Sequence, residues 1–223
     1  MTDGAANNRV LRAEAHCLPS IVSLLEEVTR WLAALGTDQW QDNSGQRRTR
    51  ITADIGEGTV FVVERGHDVI ATITVDEFAD SDFWRARDET RNALFVHRMA
   101  VRRDHAGIGL GTAMLDWAAA RAERCGRSLL HLDGWANNEK LHLYYKELGF
   151  EMIRNVPLCW RGSGALFARA ASYRHGDGPA LVDDVARLTP LPSPGGPPAA
   201  EPAPDRRHPR GGHRVGVAGR PHP

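Results

Sequence analysis

Little cysteine, no net charge and no long apolar run characterise this 223-residue chain, and each shortage excludes a class of protein. The three cysteines (Cys17, Cys125, Cys159) are odd in number and form no CxxC pair, so neither a disulfide framework nor a zinc site is indicated. The ten histidines show no HxxxH or Cys/His ligand spacing either, so no metal is expected. Twenty-eight basic residues balance 28 acidic ones, which leaves no field to attract a polyanion and makes nucleic acid an unexpected partner. No apolar stretch approaches the roughly 20 residues that cross a bilayer. Residues 1–16 also lack the basic-then-apolar pattern of a secretory signal. The chain therefore reads as soluble and cytoplasmic, with no membrane partner.

Proline is nearly missing from the first 178 residues, where only Pro19 and Pro157 occur, and the other 11 fall between Pro179 and Pro223. That last stretch is also rich in Gly, Arg and His and has no sustained apolar period. Such a segment cannot bury enough surface to offset the entropy of ordering it. Residues 172–223 are accordingly expected to be a disordered tail, and residues 8–171 a single folded domain. Runs such as Asp205-Arg206-Arg207-His208-Pro209-Arg210 read as solvated, with a basic docking segment as the alternative.

Within 8–171, strand and helix periods alternate. Residues 10–13 form a short strand candidate, and apolar residues then recur at helical spacing from Ile21 to Leu35, with Gly36 as the stop. A polar loop or short helix follows. Residues 59–64 and 69–75 are β-branched runs joined by Arg65-Gly66-His67-Asp68, a hairpin pattern. Residues 94–101 make a third strand, 110–125 a helix closed by Gly126, 128–133 a strand and 139–148 a short helix ending at Gly149. Residues 150–154 and 165–169 complete the order as strands. The fold class is α/β, with a mixed central sheet that is antiparallel in its first half and carries a βαβ crossover in its second.

The most informative stretch is Val101-Arg102-Arg103-Asp104-His105-Ala106-Gly107-Ile108-Gly109-Leu110-Gly111, which sets three glycines at alternate positions between a strand and a helix. A glycine turn feeding a helix N-terminus presents backbone N–H groups and a positive dipole end to phosphate oxygens. Downstream lies Asn138-Glu139-Lys140-Leu141-His142-Leu143-Tyr144-Tyr145-Lys146-Glu147-Leu148-Gly149-Phe150. Together with the element order, these two segments resemble the GNAT superfamily of acyl-CoA-dependent N-acetyltransferases. The first is similar to the family's [Gln/Arg]-x-x-Gly-x-[Gly/Ala] loop, and the second to its N-x-x-[Ala/Leu]-x-x-x-Tyr-x-x-x-Gly-Phe segment. The resemblance spans residues 10–169.

What the resemblance implies is specific. Two neighbouring parallel strands, here 94–101 and 128–133, splay apart and admit acetyl-CoA as co-substrate. Main-chain groups of Met99, Ala100 and Val101 pair with its pantetheine arm. Amides of Gly107, Ile108, Gly109, Leu110 and Gly111, with the Thr112 hydroxyl, hold the pyrophosphate, while Asn138 and Tyr145 face the cofactor. Ala106 stands where the family usually has Gln or Arg, a lost contact worth about 1 kcal/mol. Arg102, Arg103 and His105 are the neighbours that can supply charge instead.

Transfer to an amine also needs a proton for the departing thiolate and a base for the amine. Tyr145 matches the family tyrosine that approaches the sulfur. Some members carry a glutamate base where this chain has Phe95. His97, two residues on and on the same strand face, is one candidate base, and Asp133 at the end of the partner strand is the other. A water chain is the third route. Asp76 and Glu77 can attract a cationic acceptor, and the acceptor pocket is expected among Trp31, Trp40, Phe83, Trp84 and Trp135. The expected function is transfer of acetyl from acetyl-CoA to a small-molecule or peptide amine by direct attack in a ternary complex. The alternative is a non-catalytic acyl-CoA-binding module on the same fold. A homodimer is compatible with the resemblance.

Overall fold

The computed structural model describes residues 7–41 and 44–185, for 44–46 the backbone alone. Its elements run β1 (Asn8–Arg12), α1 (Leu18–Ala34), α2 (Ser44–Gly56), β2 (Val60–Arg65), β3 (Asp68–Asp76), β4 (Ala93–Val101), α3 (Leu110–Arg124), β5 (Leu129–Trp135), α4 (Glu139–Glu147), β6 (Glu151–Asn155), β7 (Ser163–Ala170) and β8 (Leu181–Asp183). One eight-stranded sheet holds every strand, in the order β6-β7-β5-β4-β3-β2-β1-β8. The β4–β5 and β1–β8 pairs are parallel, and the others antiparallel.

Local chemistry accounts for most of these elements. Pro19 sits in the first turn of α1, where its missing N–H costs nothing. The α1 stripe of Ile21, Leu24, Leu25, Val28 and Leu32 is buried. Gly36, at φ 75°, reverses the chain at the helix end. The polar stretch after α1 resolves as helix α2, anchored by buried Ile51. Gly66 takes a positive φ (67°) in the two-residue connection between β2 and β3.

Strand β2 is buried on both faces, and its alternation divides the core. Phe61 and Val63 pack with Ile73, Val96, Leu132 and the apolar face of α3. Val60 and Val62 pack with α1 and Ile51. A third cluster of Phe83, Trp84, Phe95 and Leu166 covers the β4–β5–β7 end of the sheet. Arg169, only 3% exposed, ties that end to the helices through Leu148 O (3.0 Å), Leu115 O (2.9 Å) and Asp116 (3.2 Å).

The boundary at residue 171 needs correction. Residues 172–185, assigned above to a disordered tail, return to the sheet as β8 and pair in parallel with β1 (Asn8↔Leu181, Val10↔Asp183). Composition misleads there because the segment is held by distant partners: Arg9–Asp184 at 2.6 Å, Arg124–Asp183 at 2.7 Å, and Val185 buried at 4% exposure. The rest of the expected tail, 186–223 with the 205–210 basic run, lies outside the described residues.

Candidate active site

Strands β4 and β5 are in register only from Ala93↔Leu129 to Val96↔Leu132. Beyond that point the β5-facing edge of β4 has no strand partner, so the expected splay is present. Its cause is visible on the other edge of β4. Thr74 pairs with His97 and Thr72 with Ala100, so Ile73 alone faces both Arg98 and Met99. The extra residue is accommodated by Arg98 at φ 46°, a left-handed value that is uncommon outside glycine. The Arg98 guanidinium then reaches α2, pairing with Asp54 and lying 3.3 Å from Thr74 Oγ1.

Three ionisable groups meet at the divergence. His97 Nε2 lies 3.2 Å from Asp76 Oδ1, and His97 Nδ1 lies 3.7 Å from Asp133 Oδ1, each side chain being less than a fifth exposed. A carboxylate only accepts, so the shorter contact is an Nε2–H donation to Asp76. In the neutral ring that leaves the lone pair on Nδ1, facing Asp133 across a gap too long for a hydrogen bond. The geometry thus joins His97 and Asp133, the two candidate bases, and adds Asp76 as orienting partner. Among the described residues no group of three His, Cys, Asp or Glu side chains is arranged to hold a metal ion.

Tyr145 stands beside this trio. Its ring packs on Phe150 (5.8 Å between centroids) and Phe167 (5.4 Å), and a Cβ on Gly134 would approach it at 3.6 Å. Burial, then the neighbouring Tyr144 and Asp133, push its phenol well above the ordinary range, so it stays protonated at neutral pH. Tyr144 points the other way. Its hydroxyl lies on the Gly111 side, so near that a Cβ there would come within 2.7 Å.

The glycine turn behaves as its spacing suggests. Gly107 (φ 81°) and Gly109 (φ 78°) adopt left-handed geometry, and Gly109 is the N-cap of α3 with no side-chain cap. The first amides of α3 (Leu110, Gly111 and Thr112) therefore keep the free N–H groups that every helix start presents. Ala106 is extended (φ −77°, ψ 157°) just before them. The three neighbours expected to supply charge are each engaged. Arg102 Nη2 lies 3.5 Å from Glu27, the Arg103 guanidinium stacks 3.8 Å from the Trp31 ring, and His105 is bonded to Asp104 at 2.7 Å.

Asn138 is likewise engaged. Its Oδ1 accepts from Leu141 N (3.0 Å) and caps α4, while its Nδ2 donates to Gln39 Oε1 (2.8 Å). With both ends engaged, Asn138 serves in this structure as a helix cap and loop anchor. A companion bond, Trp135 Nε1 to Asp38 Oδ1 (2.7 Å), latches the α1–α2 loop to the end of β5. Sequence reasoning missed this latch and the Arg98 bulge, since neither has a local pattern.

Of the expected pocket aromatics, Phe83 and Trp84 are core residues at 1% and 4% exposure. Two residues before Asp133, on the same face of β5, His131 is fully buried and stacks on Trp84 (4.5 Å, 3°). Neither ring nitrogen has a hydrogen-bond partner among the described residues, and Trp84 Nε1 has none either. Burial lowers the His131 pKa to about 4, partly opposed by Asp88 and Glu89.

A mixed sheet parted at its central parallel pair, with ionisable groups at the parting and a glycine-capped helix beside it, places the chain among the acyltransferases. The model of the acetyltransferase (GNAT) family matches residues 25–150, more than half of the sequence, and the chain belongs to that family. Over 139 residues it is 32% identical to YesJ, an uncharacterized N-acetyltransferase of Bacillus subtilis, across 60% of this chain and 76% of the relative. Its fold is similar to a GNAT-family acetyltransferase from Listeria monocytogenes (TM-score 0.62, 23% identity, 76% of this chain and 98% of that one). It is also similar to the PaiA N-acetyltransferase of Thermoplasma acidophilum, solved in complex with coenzyme A (TM-score 0.57, 12% identity, 74% of this chain and 99% of that one). No described helix is long and apolar enough to cross a membrane.

Proposed function

We propose that this protein transfers the acetyl group of acetyl-CoA directly to the amine of a small-molecule or peptide acceptor. The observation that carries this reading is the meeting of Asp76, His97 and Asp133 where β4 parts from β5, with Tyr145 beside them. The glycine turn fits a pyrophosphate: Gly107 and Gly109 are left-handed, and no side chain caps the amides that open α3. The free edge of β4 at Met99, Ala100 and Val101 fits the amide groups of a pantetheine arm. The Tyr144 hydroxyl and the Met99 side chain both lie beside Gly111.

Within this frame each residue has one task. Asp133 binds the incoming ammonium, and His97 Nδ1 accepts its proton because Asp76 holds the other nitrogen protonated. As the C–N bond forms and the C–S bond breaks, Tyr145 gives its hydroxyl hydrogen to the departing sulfur, the second proton shed by the new amide nitrogen restores the phenol, and His97 releases the first to solvent. A main-chain N–H of the freed β4 edge near Met99 polarises the acyl oxygen.

The test has two parts: thermal shift with acetyl-CoA, and thiol release across a broad amine panel. Acetyl-CoA is expected to raise Tm, Gly109→Trp to abolish that rise, and at least one amine to release thiol. No shift at saturating acetyl-CoA overturns the reading. Binding with no turnover on any amine would favour the non-catalytic module, for which Ala106 and Phe95 are the motivating departures.

A further inference from the structure

The segment after β7 follows an unusual course. Arg174 pairs with Glu123 near the C-terminal end of α3. The N–H groups of His175 and Gly176 then donate to Asp116, at 3.2 and 2.9 Å, in the middle of that helix. Gly178, at φ 120°, reaches its N-cap. From there the chain turns back, and Asp183 bonds Arg124 at the end where the segment began. Residues 173–183 thus form a clasp laid along α3, and its turning point rests on the glycine loop.

The contact at the turning point is backbone on backbone. A Cβ on Gly109 would lie 2.8 Å from Gly178 Cα, and one on Gly178 would lie 3.1 Å from the Gly109 carbonyl carbon and 3.2 Å from Ala113 Cβ. Only a glycine pair permits this approach. Asp116 fixes the clasp from below, since the same carboxylate also pairs with buried Arg169 at 3.2 Å. Asp184 and Val185 anchor its far side against Arg9 and the core.

We propose that this clasp is part of the cofactor site, with Gly178 as a positioning residue for the pyrophosphate of acetyl-CoA. The proposal rests on the acetyltransferase reading above. The free amides of Leu110, Gly111 and Thr112 follow directly on Gly109, and Gly109 is backed by Gly178. A rigid outer wall takes the place of the missing side chain at Ala106 by holding the amides in their phosphate-facing geometry before the ligand arrives. A side chain at position 178 must push the cap aside or lift the clasp, and either disperses those amides.

The full-length chain provides the test. Wild type, Gly178→Ala and Gly178→Val are titrated with acetyl-CoA and with S-acetylpantetheine, which keeps the thioester arm and lacks the pyrophosphate. Gly178→Val is expected to weaken acetyl-CoA binding by about tenfold or more, with a smaller loss in Gly178→Ala and no change for S-acetylpantetheine. A loss shared equally by both donors marks general destabilisation and overturns the proposal, as does unchanged acetyl-CoA affinity. If Gly178→Val does not fold, the same comparison on Gly178→Ala decides. Wild type that binds no acetyl-CoA would overturn the acetyltransferase reading itself, and the clasp proposal with it.

Discussion

Replacing His131 with leucine separates the acid sensitivity of this fold from everything else that titrates in it. The imidazole is buried between Trp84 and Phe95, with neither nitrogen hydrogen-bonded among the described residues. An unfolded histidine titrates near 6.5, whereas burial holds this one at about 4. The unfolded chain therefore takes up the proton first, and the sign follows. Stability is complete above pH 6.5 and is lost as pH falls toward 4. Linkage puts the loss at about 2 kcal/mol between pH 7 and pH 5, and at about 3 kcal/mol once both forms are protonated. His131→Leu cannot show that loss. At pH 7 it should be at least as stable as the parent, because removing two orphaned polar atoms offsets the lost ring stacking. Urea unfolding of both proteins at pH 7, 6 and 5 measures the difference, and titrations common to both cancel. The gap should widen in favour of the variant by about 2 kcal/mol over that range. A gap that stays constant would refute the burial argument.

Three further predictions concern the chemistry. Tyr145→Phe should lower turnover more than tenfold with acetyl-CoA binding unchanged, and a much smaller fall removes Tyr145 as proton donor. Because burial raises the Tyr145 phenol, turnover of the parent should show no loss from its ionisation up to pH 10. His97→Ala should abolish the acidic limb of the pH–rate profile. A limb that persists in the variant assigns the base elsewhere, with Asp133 next in line.

The parts of the fold legible in the sequence are those with a period. The α1 stripe, the β2–β3 hairpin and the amphipathic α3 bury along one direction, so residue spacing suffices. The glycine turn was legible too, since positive φ at Gly107 and Gly109 demands a residue type. What escaped depends on partners far along the chain. The Arg98 bulge needs Asp54 on α2, and the clasp needs Asp116, Arg124 and Arg9. Asn138 illustrates a different gap. Its motif position is legible, while its side chain serves α4 and Gln39, because a residue at a helix start meets the nearest orphan N–H first. At His97 the strand face was legible, whereas the choice of ring nitrogen required Asp76 to be seen at 3.2 Å.

The pairing of β1 with β8 has a consequence for how the protein is made. Asn8 leaves the ribosome 173 residues ahead of its partner Leu181. At about 5–20 residues per second, the outer edge of β1 waits roughly 10–35 s for that partner. During the wait, β1 presents unpaired N–H and C=O groups to any passing strand, and its Arg9 and Arg12 are the charges that discourage such pairing. Gly178 is synthesised in the same stretch as Leu181. The wall proposed for the glycine loop is therefore made only after strands β1 to β7.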